Sequence, residues 1–263
     1  MERVLGLTGR MVLNLLYVMS RIALLVTNTL YWSFLAPVKG KGLRWRATVE
    51  QFVEYGMHSL PIVTLISFLI GAIIAMQSAY QLHRFGAERY IADLVAVSGM
   101  RELGPLMTAI LIAGRNGSAI TAEIGTMKVA EELDALRVIG LNPIKFLVVP
   151  RFLGMALAVP CVTIISVLVL IAGGFSLTVV VLAQEPYQYL ERTAEALLAK
   201  DFATGMLKSL FFAFAICFVG VYKGFQVEGG AEGVGKQTTS SVVTSITAII
   251  FIDLIFTSLF YFI

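Results

Sequence analysis

Residues 60–80, LPIVTLISFLIGAIIAMQSAY, lie in a stretch without aspartate, glutamate, lysine or arginine that reaches from Glu54 to Arg84. A helix rises ~1.5 Å per residue, so about 20 apolar residues cross the ~30 Å of hydrocarbon in a bilayer. This stretch therefore predicts a membrane-spanning helix. The whole chain has the same character, since 58% of its 263 residues are hydrophobic and only 14% are charged. Such a composition excludes both an ordinary soluble domain and a disordered chain.

Four further stretches predict spans over residues 98–119, 152–183, 202–222 and 242–262. Residues 98–119 and 202–222 carry ionisable residues near the helix ends, where insertion costs less than the ~2.5–3.5 kcal/mol found at the bilayer centre. Residues 242–262 carry one charged residue, Asp253. The predicted fold is an all-α integral membrane protein with five transmembrane helices, which form a single membrane domain over residues 1–263.

Lysine and arginine are distributed unevenly among the predicted loops. Fourteen of the 20 lie in residues 1–59, 115–151 and 223–241, and six lie in residues 81–102 and 184–208. Cytoplasmic loops carry the excess of basic residues, so the first set is predicted to be cytoplasmic. The N-terminus is then inside and the C-terminus outside. The excess of basic residues in cytoplasmic loops also explains the sequence pI of about 8.9 better than nucleic-acid binding does.

Residues 1–38 are apolar but carry a narrow polar stripe. The stripe residues recur at spacings of 7, 4, 7 and 7: Arg3, Arg10, Asn14, Arg21 and Asn28. A helix with one cationic stripe is typical of the membrane interface, so we predict an N-terminal interfacial amphipathic helix. The alternative is a sixth span over residues 22–38, which would move the N-terminus outside.

Motifs for catalysis, metal binding and nucleotide binding are missing or incomplete in the sequence. The two cysteines and two histidines have no ligand-spaced partners, so no metal site is expected. Residues 230–236, GAEGVGK, nearly match a phosphate-binding loop, but Gln237 stands where Ser or Thr must hold magnesium. We therefore expect no catalytic residue, no enzyme activity and no cofactor in this chain.

Glu102 and Lys208 carry opposite charges near the outer ends of two predicted spans. Ionisable groups at membrane depth are functional candidates, and opposite charges at equal depth favour pairing. The alternative is a structural role for residues 101–105 as a capped helix start with a local ion pair. Pro105 would then lie in the first turn and Glu102 near the positive end of the helix dipole.

One face of the first predicted span is a second candidate site. Ile74, Ser78, Leu82 and Phe85 follow spacings of 4, 4 and 3, which places them on one side of a helix towards its outer end. Ordinary helix packing explains this face equally well.

Residues 126–140 predict a short amphipathic helix in a cytoplasmic loop. Charged residues that include the spaced pairs Lys128–Glu132 and Asp134–Arg137 lie opposite an apolar side, and Gly140 ends the helix. The apolar side holds Val129, Leu133, Leu136 and Ile139. The helix is either a solvated connector or a docking element for a cytoplasmic partner.

Several motifs between residues 45 and 263 together resemble the MlaE/YrbE permease family. They include RELGP at 101–105, AGR at 113–115, GSA at 117–119, AEIG at 122–125 and ELDALRVIG at 132–140. The resemblance implies the permease subunit of an ABC transporter that moves phospholipid or a related lipid in the bacterial inner membrane. It also implies a homodimer, a cytoplasmic ATPase that binds ATP and Mg, and an MCE-domain protein on the periplasmic side.

The resemblance further implies roles for individual residues. The lipid-binding residues would be Ile74, Leu82, Phe85, Arg101, Glu102 and Lys208, with Arg101 and Lys208 attracting an anionic head group and Glu102 holding them. The residues that couple to the ATPase would be Glu123, Lys128, Glu131, Glu132, Asp134 and Arg137. Two other classes of function stay open: an ATP-independent secondary transporter or channel, and a membrane scaffold that anchors the ATPase and the MCE protein.

Overall fold

The computed structural model describes residues 2–38 and 42–261, with side chains described from residue 16 to residue 260 within these ranges. The N-terminal helix Glu2–Leu30 continues through a π-helical turn, Tyr31–Leu35, into Ala36–Val38. Its second half packs through the buried Leu25, Thr29 and Ser33. Arg3, Arg10 and Asn14 of the polar stripe lie outside the described side chains, so the interfacial position remains a prediction.

Five helical segments of the described chain are long and apolar enough to cross a membrane, which confirms the predicted fold class. We call them spans 1 to 5: Trp45–His83, Glu88–Val129, Ile144–Leu182, Ala199–Phe225 and Gly230–Phe260. These segments extend beyond most of the predicted apolar ranges, because polar residues continue the helices past the apolar stretch.

Within the spans, regular α-helices alternate with π-helical turns, which are wider, and with one 3₁₀ turn, which is tighter. The π-helical turns are Gly99–Leu103, Ala113–Gly117 and Ile144–Val148, and Glu88–Tyr90 is a short 3₁₀ turn. The helices are Trp45–Met57, Leu60–His83, Ile91–Ser98, Gly104–Ile112, Ser118–Val129, Glu132–Val138, Val149–Val180, Pro186–Ala196, Ala199–Phe225 and Gly230–Tyr261.

The connections between spans lie at two ends of the bundle, which we name after a glycine with positive φ at each. The Gly86 end holds residues 84–87 and 183–198, and there the Gln184 amide donates a 3.2 Å hydrogen bond to the Glu88 carbonyl. The Gly140 end holds residues 130–143 and 226–229, next to a 2.8 Å hydrogen bond from Lys128 Nζ to the Phe225 carbonyl. The second end is the one that the loop charges predict to be cytoplasmic.

Spans 1 and 3 pack with their backbones in direct contact. A Cβ atom on Gly71 would lie 1.8 Å from the Leu170 carbonyl oxygen, and one on Gly173 would lie 2.1 Å from the Phe68 carbonyl oxygen. Small residues are the usual means by which membrane helices approach this closely. The buried hydroxyls of Ser67 and Ser166 share a 2.8 Å hydrogen bond across the same contact.

A buried amide joins spans 1 and 2 at a break in span 1 between Met57 and Leu60. Asn116 Nδ2 donates to the Tyr55 carbonyl at 3.2 Å and to Ser59 Oγ at 3.1 Å. Asn116 lies in the π-helical turn Ala113–Gly117. A backbone carbonyl and a hydroxyl at the break are therefore satisfied by the neighbouring span.

Pro105 lies in the first turn of the regular helix Gly104–Ile112, as expected, but this helix continues directly from the π-helical turn Gly99–Leu103, so residues 101–105 are not a free helix start. The chain is already helical from Glu88, and Pro105 lies inside span 2. A proline ring clashes with the carbonyl four residues earlier. The π-helical turn Gly99–Leu103, closed by a Gly104 N–H to Gly99 carbonyl bond, widens the helix immediately before Pro105 and accommodates that ring.

The range 126–140 is divided rather than being one helix. Span 2 continues to Val129, a turn follows, and Glu131 adopts φ of +59° before the separate helix Glu132–Val138 begins. The predicted Lys128–Glu132 pair is therefore absent from the described contacts, because the two residues belong to different helices. The predicted Asp134–Arg137 pair forms, with Arg137 Nη1 2.8 Å from Asp134 Oδ1.

Replacement of Gly71 by alanine tests the contact between spans 1 and 3. The added methyl group meets backbone, which cannot rotate away, so we expect the free energy of unfolding in detergent to fall by about 1–3 kcal/mol. Gly114→Ala is the matched control, because a Cβ there has no atom within 4 Å. Equal thermal unfolding midpoints for the two variants would contradict the contact.

Candidate functional site

Lys208 of span 4 is buried at membrane depth, with 1% of its side chain exposed. Its Nζ atom lies 2.6 Å from Glu102 Oε2 of span 2, 2.7 Å from Thr257 Oγ1 and 2.9 Å from Asp253 Oδ1, both of span 5. Lys208 follows the start of its helix by nine residues, which places it about 14 Å from the Gly86 end. Three spans therefore meet at one ammonium group.

The contacts around Lys208 form a closed network. Thr257 accepts a hydrogen bond from Lys208 and donates one to Glu102 Oε1 at 2.9 Å. The predicted pairing of Glu102 with Lys208 is confirmed. The expected attraction of a head group by Lys208 is not supported, because the ammonium donors are surrounded by protein acceptors and have almost no accessible surface.

Arg101 has a different partner from Glu102. Its Nε atom lies 2.8 Å from Oδ1 of the buried Asp201. The other Asp201 oxygen, Oδ2, accepts a 3.1 Å hydrogen bond from the Leu198 N–H at the start of span 4. A Cβ atom on Gly205 would lie 2.2 Å from the Met100 carbonyl, so close backbone packing brings the two spans together here. The alternative of a local Arg101–Glu102 pair is therefore wrong.

A cleft of about 230 Å³ opens over this network. Arg101 and Glu102 are its partly exposed charged groups, at 37% and 36% of their side chains. The cleft is smaller than the ~300–1,000 Å³ of typical ligand pockets. The lining residues are Val97, Ser98, Arg101, Glu102, Thr204, Lys208, Thr257 and Phe260.

The apolar residues expected to bind lipid lie elsewhere in the described chain. Ile74 and Leu82 pack into a small apolar cluster that also contains Leu103, the residue next to Glu102. Phe85 is exposed in the turn at the Gly86 end. The structure thus brings Arg101, Glu102 and Lys208 together in one cleft, but not the three apolar residues.

Asp253, Thr257 and Asp201 belong to this site, and the sequence reasoning did not assign them to it. A signal existed for Asp253, because it is the single charged residue after Lys236, just as Lys208 is the single charged residue in residues 202–222. Two isolated opposite charges in neighbouring spans predict a pair. No comparable signal identifies Thr257.

At the Gly140 end, two of the predicted coupling residues hold the spans together. Glu123 Oε2 lies 2.7 Å from Nη2 of the buried Arg151, whose Nη1 donates to the Leu147 carbonyl at 3.0 Å. Lys128 donates to the Phe225 carbonyl, which is a favourable place for a cation because that carbonyl lies at the C-terminus of a helix.

The other predicted coupling residues surround the exposed helix Glu132–Val138. Glu131, Glu132, Asp134 and Arg137 are all exposed. Leu133 is buried beneath the helix, whereas Val138 and Ile139 expose 86% and 67% of their surface. This small apolar patch with a charged border lies at the Gly140 end, opposite to the Lys208 network.

The sequence matches the family described as Permease MlaE over residues 48–259. A probable ABC transporter permease protein of Rickettsia prowazekii is 38% identical over 213 residues, 81% of this chain and 82% of that protein. One from Synechocystis is 38% identical over 216 residues, 82% of each. The chloroplastic protein TRIGALACTOSYLDIACYLGLYCEROL 1 of Arabidopsis thaliana is 36% identical over 224 residues, 85% of this chain and 64% of that protein.

Replacement of Lys208 by methionine tests the buried network. Removal of one partner leaves Glu102 and Asp253 uncompensated, so we expect a loss of about 3–5 kcal/mol in the free energy of unfolding. The triple variant Lys208→Met, Glu102→Gln, Asp253→Asn should recover most of that loss, as measured by thermal unfolding in detergent.

The matched control is Arg46→Met, which breaks the exposed 3.1 Å pair of Arg46 with Glu50. Exposed pairs contribute about 0–1 kcal/mol, so this variant should unfold almost as the parent does. A Lys208→Met variant as stable as Arg46→Met would show that the network does not hold the three spans.

Proposed function

The chain belongs to the MlaE permease family, and we propose that it is the membrane subunit of an ABC transporter that moves phospholipid or a related lipid. Five apolar spans and the family match support a transporter subunit. The single observation that carries the proposed site is the charged cleft over Lys208 at membrane depth. Ionisable groups are costly to place there, so those that are present usually mark a functional site.

Within this proposal, Arg101 is the residue that contacts the lipid head group. Its guanidinium is partly exposed in the cleft and is oriented by the buried Asp201. Guanidinium groups bind phosphate oxygens through paired hydrogen bonds. Lys208 does not contact the lipid in this proposal, because its buried ammonium lies between Glu102 and Asp253 and fixes the position of Glu102 in the cleft.

We further propose that two copies of the chain complete the lipid site. The cleft of one chain is small, and span 5 exposes apolar side chains such as Leu254 and Ile255 beside Asp253. A second copy packed near this face would enlarge the cleft and bring apolar residues of the Gly86 end, including Ile74, Leu82 and Phe85, towards the acyl chains.

A separate ATPase would dock at the Gly140 end, which we propose is cytoplasmic. Val138 and Ile139 offer exposed apolar anchors, and Glu131, Glu132, Asp134 and Arg137 form a charged border. Apolar anchors with a polar border are the usual arrangement of a docking surface. ATP and Mg would be bound by that partner.

The opposite Gly86 end would then face the periplasm across the bacterial inner membrane. An MCE-domain protein there would exchange lipid with the cleft over Lys208. Glu123 and Lys128 link the docking region to spans 3 and 4 through Arg151 and the Phe225 carbonyl. In this mechanism, closure of the ATPases displaces the helix Glu132–Val138 and, through span 2, changes the width of the cleft.

Transport in reconstituted vesicles tests the proposed function. The chain is purified with its ATPase and MCE-domain partners, and ATP-dependent transfer of labelled phospholipid is measured. We expect Glu102→Gln to slow transfer about tenfold, because a hydrogen bond to a charged group contributes ~1.5–3 kcal/mol. Glu195→Gln, which alters an exposed carboxylate at the same end, should leave the rate unchanged.

Each alternative gives a distinct result in this assay. Transfer that continues without ATP would indicate a secondary transporter or channel. ATP hydrolysis by an intact complex without any lipid transfer would indicate a scaffold. Equal transfer rates for Glu102→Gln and Glu195→Gln would remove the cleft from the lipid path while leaving the permease assignment in place.

The docking surface has its own test in the affinity for the ATPase. Ile139→Asp places a charge in the apolar patch and should weaken association about tenfold, since a central interface residue contributes over ~1 kcal/mol. Gly235→Asp is the control, because it adds the same charge to an uncrowded site near the start of span 5. Equal affinities for both variants, measured by co-purification or light scattering, would contradict docking at this patch.

A further inference from the structure

A second cleft, of about 300 Å³, lies between spans 1 and 3 near the Gly86 end. Its walls are apolar: Met76 and Ala79 come from span 1, and Leu177, Val181 and Leu182 come from span 3. None of these residues lines the cleft over Lys208. We call this second cleft the span 1–3 groove.

The groove follows from the way the two spans pack. Their backbones touch at Gly71 and Gly173, where no side chain separates them. Further towards the Gly86 end, Leu177 and Leu182 pack in one apolar cluster with Ala79, and all three residues line the groove. The groove therefore lies beyond the glycine contact, where larger side chains line both spans.

The mouth of the groove carries four polar side chains, which are Tyr80, His83, Arg84 and Glu88. Arg84 Nη2 donates a 2.7 Å hydrogen bond to the Tyr80 hydroxyl, and the guanidinium carbon lies 4.9 Å from the centre of that ring. Glu88 is engaged by His83 Nδ1. Among the described residues no carboxylate, including Glu88 of the same mouth, lies within ion-pair distance of Arg84, so its guanidinium can bind a phosphate oxygen.

From this arrangement we propose that the span 1–3 groove binds one phospholipid molecule from the surrounding bilayer. One acyl chain lies along Met76, Leu177 and Val181, and the phosphate contacts the Arg84 guanidinium and the Tyr80 hydroxyl. Apolar walls at membrane depth below the Arg84 guanidinium match a phospholipid rather than a free phosphate, because a free phosphate would make no contact with the walls. The proposal does not depend on ATP-driven transport.

The experiment compares two tryptophan reporters at neighbouring positions. Val181→Trp lies on the groove wall, whereas Val180→Trp lies outside the groove at nearly the same depth, and both parent side chains are exposed. Each variant is reconstituted in phosphatidylcholine vesicles with increasing fractions of phosphatidylglycerol that carries brominated acyl chains, which quench nearby tryptophan. The signal of the parent chain, with Trp32 and Trp45, is subtracted.

We expect half-maximal quenching at position 181 at about a fivefold lower fraction of brominated phosphatidylglycerol than at position 180, as one cation near anionic lipid contributes ~1 kcal/mol. Arg84→Gln should abolish this difference. Arg89→Gln should preserve it, because Arg89 lies outside the groove and contacts Tyr90. Inorganic phosphate should not displace the lipid.

Several results would overturn the proposal. They are equal quenching at both positions, a preference that survives Arg84→Gln, and release of the brominated lipid by inorganic phosphate alone. Protection of position 181 from every brominated lipid in the complex with the ATPase and the MCE-domain protein would show that a partner chain fills the groove. A Met76→Trp reporter on the opposite wall repeats the test if Val181→Trp fails to fold.

Discussion

The buried ammonium of Lys208 constrains the arrangement of the bundle more than any other single group. A charge in hydrocarbon is tolerated only when other groups compensate it, and here the compensation comes from Glu102 of span 2 and from Asp253 and Thr257 of span 5. Rotation of either span about its own axis would remove an acceptor from Nζ. The network therefore fixes how spans 2 and 5 face span 4, and that orientation places Arg101 beside Asp201 at the mouth of the cleft.

Spans 1 and 3 are positioned by a different constraint, which is direct backbone contact through glycine. Their backbones meet at Gly71 and Gly173, and larger residues nearer the Gly86 end line the span 1–3 groove. The bundle thus carries two clefts of unlike chemistry at one end. One holds the Lys208 network, and the other is an apolar groove with Arg84 and Glu88 at its mouth.

Much of the fold follows from the sequence alone, because charge-free stretches such as residues 60–80 have the length that a helix needs to cross a bilayer. The Glu102–Lys208 pair was also predictable from opposite charges at similar depth. The turn at Glu131 and the wide turn before Pro105 were not, since each is decided by how the next element packs. The sequence shows Asp253 as an isolated charge in the last span. Which residue it contacts depends on how the helices are rotated, and one sequence does not determine that rotation.

Span 2 connects the two regions to which function is proposed. It contributes Glu102 to the network near the Gly86 end, and Glu123 and Lys128 to the contacts at the Gly140 end. Two π-helical turns interrupt it, one at the cleft and one where Asn116 bonds to the break in span 1. A helix changes register most easily at such turns, because their hydrogen bonds are already irregular. In the proposed transport cycle, a displacement at the Glu132–Val138 helix would therefore reach Glu102 by adjustment at these two turns while the regular helices between them stay intact.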